Sequence, residues 1–575
     1  MTNHNYHSRV INIGDIPTGG NSPIRIQSMT NTNTMDTLAT IEQTIRLIDA
    51  GCDFVRITAP GIKEAENLRI IKKELNKRGY NTPLIADIHY MPKAAEIAAT
   101  YVEKVRINPG NFIDRKKGKI NISETEYQAE LDKIRDKIKP LVEICNQYKT
   151  TLRIGANHGS LSERILYKYG DTPIGMVESA LEFVRICEDL GFRDIVISMK
   201  SSNVKVMIQA NRLLMEQMIQ NGEIYPIHLG VTEAGDAEDG RIKSAAGIGP
   251  LLLDGIGDTI RVSLTEEPEF EIPIAKQIIF HCGKRVGAKL PDMKSGTDYF
   301  FQYTKPGSEK LETIGGSNPP IVVADSDEMP FDLNPDFHPD YVFDGNKLTP
   351  YRNKKNVSAS VKILIINTHK NLIEKIDSIK PGNLLIFDFS KVQELNEVRN
   401  WFNMLYEKNI TNPVILKKEY KKIKFDELLI KSSIDFSYFL VDGLGDGIWI
   451  KNQNSSQKDI NHLAFGILQA IGSRISKTEY IACPSCGRTL FKIQDTLQKV
   501  KARTSHLKGL KIGVMGCCVN GPGEMADAHY GYVGAGKGKI TLYKGKQIIK
   551  AGIKEETAVD ELIKLIKDHG DWVQK

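Results

Sequence analysis

The sequence has few cysteines and tryptophans and little net charge. Its 575 residues include eight Cys and three Trp, and Lys and Arg exceed Asp and Glu by only six. So few cysteines exclude a disulfide-built scaffold, and so small a positive excess argues against a nucleic-acid-binding protein. No run of about 18 apolar residues suggests a transmembrane helix, and the first residues lack the apolar core of a secretory signal. We therefore expect a cytoplasmic protein without a membrane span.

The length exceeds that of one ordinary domain. With 41% hydrophobic and 26% charged residues, the composition is typical of a globular protein of two to four domains. Changes of pattern along the chain predict three domains: residues 1–285, a middle domain over 286–475 and a small C-terminal domain over 476–575. We expect the protein to belong to the α/β class.

The first domain alternates short apolar runs with amphipathic segments. Eight runs are rich in β-branched residues, as parallel strands buried on both faces usually are. They are Ile24–Met29, Phe54–Thr58, Pro83–Ile88, Lys104–Asn108, Leu152–Ala156, Ile195–Met199, Ile227–Thr232 and Thr259–Leu264. Eight strands, each followed by a connection, predict an N-terminal (β/α)8 TIM barrel.

The middle domain resumes this alternation after an irregular start. Its predicted strands are Lys362–Asn367, Asn383–Phe389, Pro413–Lys417 and Phe436–Val441. The middle domain also contains an internal sequence repeat, which we call the internal echo. Its segment Asp442–Ile450 resembles Asp254–Val262 of the first domain, with Trp449 in the place of Arg261. Such self-similarity can mark a duplicated unit. Our hypothesis is an inserted, degenerate barrel-like copy that kept the scaffold and lost the site; the alternative is coincidence between two glycine-rich strand entries.

The C-terminal domain contains the clustered cysteines, and we expect a small α+β fold with a strand at Gly509–Met515 and a helix at Thr557–His569. Cys483 and Cys486 form a C-x-x-C pair, and Cys517 and Cys518 are adjacent. Neighbouring side chains of an extended segment point apart, so three thiolates, not four, are expected at one metal centre. Iron–sulfur clusters usually have four cysteine ligands, which leaves one corner for another ligand.

Glu524 is a candidate for that corner. The glycines and the proline between Asn520 and Gly523 predict a tight turn, which could bring the Glu524 carboxylate back to the metal. The alternatives are a solvated loop acid at Glu524, a structural zinc ion, which would prefer a second C-x-x-C, and a redox-active dithiol.

Polar and charged residues follow most of the eight predicted barrel strands. In a (β/α)8 barrel the carboxyl ends of the strands form the floor of the active site. The cations at these ends are Arg56, Arg106, Arg153, Lys200 and Arg261. Any one of them could serve a structural ion pair, and His89 and His228 are individually more often structural than catalytic. Five converging cations repel one another without an anion, and Arg and Lys both suit phosphate, so we expect a diphosphate-class ligand.

These residues resemble the 4-hydroxy-3-methylbut-2-enyl diphosphate synthase family of the methylerythritol phosphate isoprenoid pathway. The matching stretches cover the first 280 residues and the last 100, and the extra middle domain resembles the long, three-domain form. They include Gln27–Thr32, Ala86–His89, Arg106–Gly110, His228–Gly230, Thr232–Gly235, Gly255–Ser263, Ala482–Cys486 and Val519–Glu524.

The resemblance implies an iron–sulfur oxidoreductase that converts 2-C-methyl-D-erythritol 2,4-cyclodiphosphate to 4-hydroxy-3-methylbut-2-enyl diphosphate by two-electron reductive dehydration. It implies one [4Fe–4S] cluster on Cys483, Cys486, Cys517 and Glu524, and Cys518 is not expected to be a ligand. Ferredoxin or flavodoxin is expected as the electron donor, an NADPH-linked relay stays open, and a homodimer is one possible assembly. In the long form the middle domain is expected to take the place of the partner subunit, so that the site lies within one chain.

Together, the residue pattern and the resemblance assign roles to individual side chains. Glu233 is the candidate proton donor, and Asn520 is the candidate to hold the exchanging oxygen. The remaining substrate-binding candidates lie at or just beyond strand ends: His89, Asn108, Asn157, Ser198, Thr232 and Ser263. Two alternatives stay open at this point, a pterin-binding-type barrel transferase with a structural zinc domain and a non-catalytic binding module.

Overall fold

A computed structural model describes residues 7–113, 123–283, 307–326, 338–351, 361–519, 523, 525 and 527–574. Contacts divide the chain into two compact units. One consists of residues 1–244, 251–290 and 477–575, and the other of 245–250 and 291–476. Within the described ranges, no helix has both the length and the apolar character needed to cross a membrane.

The first unit contains an eight-stranded parallel barrel. Its strands are β3 (Arg25–Met29), β4 (Phe54–Thr58), β5 (Leu84–Asp87), β6 (Lys104–Ile107), β7 (Thr151–Asn157), β8 (Ile195–Lys200), β9 (His228–Leu229) and β10 (Thr259–Ile260). The order β8-β7-β6-β5-β4-β3-β10-β9 is parallel throughout, and a bridge from Ile197 to Ile227 closes it. The predicted TIM barrel is confirmed, although β9 and β10 are shorter than the apolar runs suggested.

Helices cover the outside of the barrel, which explains why the strands are apolar on both faces. They are α1 (Thr37–Asp49), α2 (Ile62–Lys77), α3 (Pro92–Ala99), α4 (Pro109–Phe112), α5 (Glu124–Tyr148), α6 (Glu163–Tyr169), α7 (Pro173–Asp189), α8 (Val204–Asn221), α9 (Ala237–Leu253) and α10 (Glu271–Cys282). Every residue of β4 and β7 is buried. Local signals set the helix starts: the Asp36 side chain accepts from the backbone N–H of Ala39 and caps α1, and Pro92 occupies the first turn of α3.

A short hairpin closes the amino-terminal end of the barrel. It consists of β1 (Ile11–Ile13) and β2 (Ile16–Thr18), which pair antiparallel. Its isoleucines pack in one cluster with Phe54, Ile85 and Val196, which stand at the starts of their strands. With this end filled by apolar side chains, the carboxyl end of the barrel is left for polar groups.

The C-terminal part of the first unit is a five-stranded mixed sheet with two helices. The strands are β18 (Glu479–Ala482), β19 (Lys511–Met515), β20 (Tyr530–Gly536), β21 (Lys539–Lys544) and β22 (Gln547–Lys554), in that order in the sheet. Helix α15 (Ile493–Thr504) and the C-terminal helix (Glu555–Asp568) bury side chains such as Leu497 and Leu562 against one face. A smaller cluster with Met515 and Tyr543 lies on the other face, next to Cys483. The expected small α+β fold is confirmed.

The second unit repeats the parallel βα construction in a seven-stranded sheet. Its strands are β11 (Ile321–Asp325), β12 (Tyr341–Phe343), β13 (Leu348–Pro350), β14 (Ile363–Ile366), β15 (Leu384–Asp388), β16 (Val414–Tyr420) and β17 (Gly447–Asn452). The order is β13-β12-β11-β17-β16-β15-β14, with only β13 antiparallel. The helices are α11 (His369–Lys375), α12 (Leu395–Glu407), α13 (Phe425–Leu440) and α14 (Gln457–Ala470).

One strand prediction in this unit is wrong. The segment Phe436–Val441 lies at the end of the buried helix α13, and the strand follows at β17. The run Phe-Ser-Tyr-Phe-Leu-Val is apolar and aromatic, so periodicity alone does not separate a buried helix end from a strand. The three-domain division with its boundaries remains a prediction.

Candidate functional site

A cavity at the carboxyl end of the barrel brings together the barrel rim and the cysteine-bearing loops of the same chain. Both parts belong to the first unit. The barrel side is lined by Met29, Arg56, Asp87, His89, Arg106, Arg153, Asn157, Lys200, Thr232, Glu233, Arg261 and Ser263. The C-terminal side is lined by Cys483, Pro484, Ser485, Cys486, Arg488, Met515, Cys517 and Val519. The two groups of candidates, 220 residues or more apart in sequence, therefore share one cavity.

Asp87 is the carboxylate around which several cavity cations are arranged. Arg106 Nη1 lies 3.1 Å from Asp87 Oδ1, and Arg106 Nη2 donates to the Gly155 carbonyl at 3.0 Å. His89 Nε2 contacts the Arg106 guanidinium and lies 3.5 Å from Asp87 Oδ2. Burial raises the pKa of Asp87, but Arg56, His89 and Arg106 outweigh it and hold the pKa well below its usual value. Burial and Arg106 lower the pKa of His89 to about 3, so this imidazole is neutral at pH 7.

Arg488 is a cavity residue that the sequence reasoning missed. It follows the C-x-x-C pair by two residues, and its Nη2 donates to Asp87 Oδ2 at 3.0 Å and to the Asp87 carbonyl at 3.1 Å. Burial lowers its pKa, but Asp87 outweighs this and raises it. The C-terminal part thus contributes a sixth cation to the cavity. The sequence feature that could have identified it is an arginine close to Cys483 and Cys486, the two predicted cluster ligands.

The remaining cations are buried with little local neutralisation. Arg56 directs its Nη2 at Met29 Sδ, 2.8 Å away, and the nearest partner of Arg153 is Gln27 Oε1 at 3.5 Å. Burial lowers the pKa of Arg56 to about 9. Burial and the repulsion of Arg153 lower the pKa of Lys200 well below its usual value. Such shifts mean that the charged forms are costly here, so an anion with several charges would be strongly stabilised.

Arg261 differs from these cations because it has its own carboxylate. Its Nε and Nη2 donate to Glu271 Oε2 and Oε1 at 3.2 and 3.1 Å, and Glu271 is 2% exposed. A bidentate pair of this kind fixes the plane of the guanidinium. The Arg261 side chain is therefore held in place at the cavity wall.

The three predicted thiol ligands all line the cavity. Cys483 directly follows β18, Cys486 lies in the next loop, and Cys517 follows β19. The Gly516 N–H donates to Cys483 Sγ at 3.2 Å. Burial and the neighbouring Cys486 raise the pKa of the Cys517 thiol to about 11. A bound metal cation reverses such a shift, because a coordinating thiol is deprotonated by the metal.

The three thiols lie close enough to one another to interact electrostatically. Within the described part of the chain, no group of three or more His, Cys, Asp and Glu side chains is placed to hold one metal ion. Three thiols in one cavity, with one corner left for a further ligand, suit an iron–sulfur cluster.

Glu233 stands between the two halves of the cavity. A parallel bridge between Ala234 and Ala482 connects the loop after β9 to β18. Glu233 therefore lies close enough to Cys483 for its negative charge to raise the pKa of the Cys483 thiol. Glu233 is 2% exposed and has φ 49°. Residues other than glycine rarely adopt a positive φ, and such strain concentrates at functional sites. The backbone therefore directs this carboxylate into the cavity at some cost.

The family models match both halves of the first unit. The model described as the GcpE TIM-barrel domain matches residues 8–276, and the GcpE protein C-terminal domain matches residues 479–568. Together they cover more than half of the chain. It belongs to the GcpE family.

Curated members of the GcpE family match along almost the whole chain. A protein of Phocaeicola vulgatus is 48% identical over 99% of this chain and 98% of its own length. A protein of Bacteroides thetaiotaomicron is 47% identical over 97% of both chains. A protein of Leptospira interrogans is 40% identical over 98% of this chain and 97% of its own. All three are named 4-hydroxy-3-methylbut-2-en-1-yl diphosphate synthase (flavodoxin).

The chain also matches solved structures, but remotely. The dihydropteroate synthase of Stenotrophomonas maltophilia covers 47% of this chain at 12% identity, with a TM-score of 0.32. We draw no conclusion about function from a match at this level.

Two described candidates, Asn108 and Ser198, do not line the cavity of this GcpE-family protein. Asn108 caps α4 through its Oδ1 and donates to Ser160 Oγ at 2.8 Å, so its side chain is used locally. Ser198 is 1% exposed and lies under Gly155 instead of on the wall. Asn520 and Glu524 lie outside the described residues. Their roles, like those of the other candidates, remain predictions.

Proposed function

We propose that the chain converts 2-C-methyl-D-erythritol 2,4-cyclodiphosphate to (E)-4-hydroxy-3-methylbut-2-enyl diphosphate. Two C–O bonds break, one C=C double bond forms, and one oxygen leaves as water, which consumes two electrons and one proton. The observation that carries the proposal is the cavity itself, which six cations and three thiols line together. The family supports it, since the curated relatives bear the name of this synthase.

The barrel rim would bind the diphosphate. Arg56, Arg106, Arg153 and Lys200 have pKa values lowered by burial, and a diphosphate would restore favourable charge pairing around them. Asn157, Thr232 and Ser263 also line the cavity and would donate hydrogen bonds to phosphate or hydroxyl oxygens. His89, neutral and buried, would position Arg106. In this arrangement Asn108 and Ser198 support the wall from behind, in place of the direct contacts predicted for them.

Cys483, Cys486, Cys517 and Glu524 would hold one [4Fe–4S] cluster. The chemistry that such a cluster supplies when bound is one-electron transfer and Lewis acidity at iron. A carboxylate at the fourth corner is exchanged more readily than a thiolate, so Glu524 would leave room for substrate. Asn520 would hold the exchanging oxygen by its side-chain amide.

Glu233 would hold the proton that the departing oxygen requires. Its burial opposite the thiols fits a carboxyl group shielded from water. Close contact between the barrel and the C-terminal part excludes water from reactive intermediates.

The electron donor in this proposal is a flavodoxin, because the curated relatives carry that word in their names; ferredoxin is the alternative. The setting is the cytoplasm, and the middle domain lets the site form within one chain, with dimerisation not required for it.

The proposal is tested by an anaerobic assay of the cyclodiphosphate with reduced methyl viologen. Wild type should release the linear diphosphate, and Glu524→Ala should lose most of this rate while keeping its fold. Glu556→Ala, at an exposed residue of the same domain, is the matched control and should be fully active. If the wild-type protein binds the cyclodiphosphate but does not convert it, the chain is a binding module and not an enzyme.

The cluster is tested separately through the adjacent cysteines. Cys517→Ser should lose iron, sulfide and brown colour after anaerobic purification, whereas Cys518→Ser should keep them. Because the two thiols are neighbours in sequence, general damage to the loop would affect both variants alike. A colourless wild-type protein loaded with zinc would contradict the cluster and revive the transferase alternative.

A further inference from the structure

Lys104 is a buried residue of the barrel that does not line the cavity. It is the first residue of β6 and is 0% exposed. Among the residues that the structure describes, its Nζ has no hydrogen-bond partner. Lysines are almost never fully buried unless they are paired, and a buried polar group without a partner destabilises a fold. The barrel therefore retains this lysine against its effect on stability, which points to a role other than folding.

The geometry of β6 places Lys104 directly below a cation of the cavity wall. Lys104 and Arg106 are two positions apart, and residues with this spacing point to the same face of a strand. Arg106 lines the cavity, so Lys104 also points into the barrel, roughly 7 Å deeper along the strand. Its ammonium group therefore belongs to a second layer, beneath the cations that reach the cavity.

Apolar side chains lie on the other side of Lys104. Its Nζ is 4.8 Å from the centroid of the Phe54 ring, and its paired residue on β5 is Ile85. Phe54 and Ile85 both pack in the cluster that closes the amino-terminal end of the barrel. An aromatic face attracts a cation, but it supplies no negative charge. Because low-dielectric walls screen a charge poorly and focus its field, the field of Lys104 acts mainly toward the cavity.

The charges that act on Lys104 within the described part of the chain are positive. Burial, and then the charges of Arg153 and Arg56, lower its pKa well below its usual value. Both arginines line the cavity, so Lys104 is close enough to the wall to interact with it electrostatically. An anion in the cavity would stabilise the ammonium form of Lys104 and would offset the repulsion among the three cations.

We propose that Lys104 is a specificity-determining residue, a second-layer cation that strengthens the binding of a diphosphate in the cavity and favours it over a monophosphate. The inference rests on the proposed function. Lys104 does not touch the ligand and acts through the field that it adds to that of Arg56, Arg106 and Arg153. Coulomb energy is proportional to the charge of the ligand. The contribution of Lys104 should therefore be larger for a diphosphate than for a monophosphate, which carries about half the charge.

The test compares two anions on the anaerobically purified holoenzyme by isothermal titration calorimetry. Lys104→Met should raise the Kd for inorganic pyrophosphate by about 10-fold and the Kd for inorganic phosphate by only about threefold. The KM for the cyclodiphosphate should rise by about 10-fold while kcat changes less than about twofold, because the lost interaction is the same in the ground state and the transition state. The midpoint of thermal unfolding without ligand should not fall, since Met removes a buried polar group and keeps most of the side-chain length.

Lys72→Met is the matched control, because it makes the same substitution on the outside of the barrel. Lys72 lies on α2, and its Nζ is 2.9 Å from Glu103 Oε1. This variant loses an ion pair and the same unit of charge, but the charge is outside the barrel wall. It should leave both Kd values and the KM unchanged.

The results that would overturn the inference are distinct. If Lys104→Met binds both anions as tightly as wild type but unfolds at a lower temperature, Lys104 only packs against Phe54. If both Kd values rise by the same factor, the loss does not depend on ligand charge and the second-layer role is wrong. Should Lys104→Met fail to fold, Lys104→Gln has to show the same graded loss. If neither variant folds, the lysine is structural and the inference is wrong.

Failure of the proposed function gives a different result. A wild-type protein that binds pyrophosphate, shows the graded loss in Lys104→Met and yet never converts the cyclodiphosphate would reject the proposed function and leave the role of Lys104 standing. A wild-type protein that does not bind pyrophosphate would reject both.

Discussion

The barrel and the second unit are built from the same parallel βα elements, but they differ in how many carboxylates accompany the cations at their strand ends. In the barrel, Arg56 and Arg153 share one carboxylate, Asp87, and Lys200 is buried among cations; burial lowers the pKa values of all three. In the second unit each strand-end lysine has its own carboxylate. Lys417 lies 2.9 Å from Asp388.

Trp449 completes this contrast at the position of the internal echo. Where the barrel has Arg261, the second unit has an indole whose Nε1 donates to Asp325 at 3.3 Å and whose ring lies under the Lys417 ammonium. Asp325 also pairs with Lys451 at 3.0 Å. The second unit therefore neutralises its own charges and fills the space with an aromatic ring. A scaffold of this type binds an anion only where its cations are left short of carboxylates.

From the comparison of the barrel with the second unit, we expect the largest loss of stability when Trp449 is replaced. This side chain is 1% exposed and packs against Phe343 with the ring centroids 5.0 Å apart. Trp449→Ala should therefore lower the free energy of unfolding of the second unit by about 3–5 kcal/mol, measured by denaturant titration. Lys370→Ala, on an exposed helix face of the same unit, is the control. A loss below about 1 kcal/mol would mean that the ring does not fill a packed core.

The second prediction distinguishes barrel cations, which bind substrate, from cations of the second unit, which stabilise the fold. Arg106→Met should lower kcat/KM for the cyclodiphosphate by about 100-fold, since a buried phosphate partner is lost. Lys417→Met removes a strand-end cation of the second unit and should leave kcat/KM unchanged, at a cost of about 1 kcal/mol in unfolding free energy. Steady-state kinetics and thermal unfolding measure both. Equal losses of activity in the two variants would refute the division of roles.

Arg488 should show a smaller effect of a different kind. Arg488→Met removes the contact of the C-terminal part with Asp87 and should lower kcat/KM by about 10-fold. Arg488→Lys should recover part of this loss, because the ammonium can still reach Asp87. Retention of iron and sulfide in Arg488→Met shows that the cluster loops are intact. If Arg488→Met is fully active, the sixth cation is not part of the site.

The smallest effect concerns pH. Burial lowers the pKa of His158, but the carboxylates of Asp171, 3.1 Å away, and Asp527, 3.9 Å away, outweigh it and raise the pKa from 6.5 to about 10. Because the pKa is raised on folding, the stabilisation is fully present below pH 6.5 and is lost as the pH rises toward 10. Asp171 is a third exposed, so we expect about 1 kcal/mol.

The measurement for His158 is the unfolding free energy of wild type minus that of His158→Gln across pH 6–10, the window set by the two pKa values. The difference should shrink with rising pH. A difference that does not change with pH would show that His158 is not held charged by the two aspartates.

Much of this architecture could be predicted from the sequence because it depends on local patterns. β-branched runs such as Ile195–Met199 specify buried parallel strands, and the polar residues after them fall on the barrel rim whatever the details of the turns. The C-x-x-C pair likewise placed Cys483 and Cys486 together. These features need only the period of the strands and the rule that parallel strands open on one rim.

What failed to follow from the sequence depends on contacts between distant segments. Asn108 stands at a strand end like Asn157, yet its side chain is taken by the N-cap of α4 and by Ser160. Arg488 reaches Asp87 across 401 positions of sequence, a pairing that no local pattern encodes. The buried end of α13 shows the same limit, since its surroundings and not its periodicity decide between helix and strand.

The left-handed backbone of Glu233 has a consequence for the way this protein can be improved. A side chain with a Cβ costs about 1 kcal/mol or more in this conformation, whereas glycine adopts it freely. Glu233→Gly would therefore relieve the backbone and delete the carboxylate in one step. A laboratory selection for thermal stability that does not also require catalytic activity should enrich glycine at position 233. The more stable protein obtained in that way would have lost its proposed proton donor.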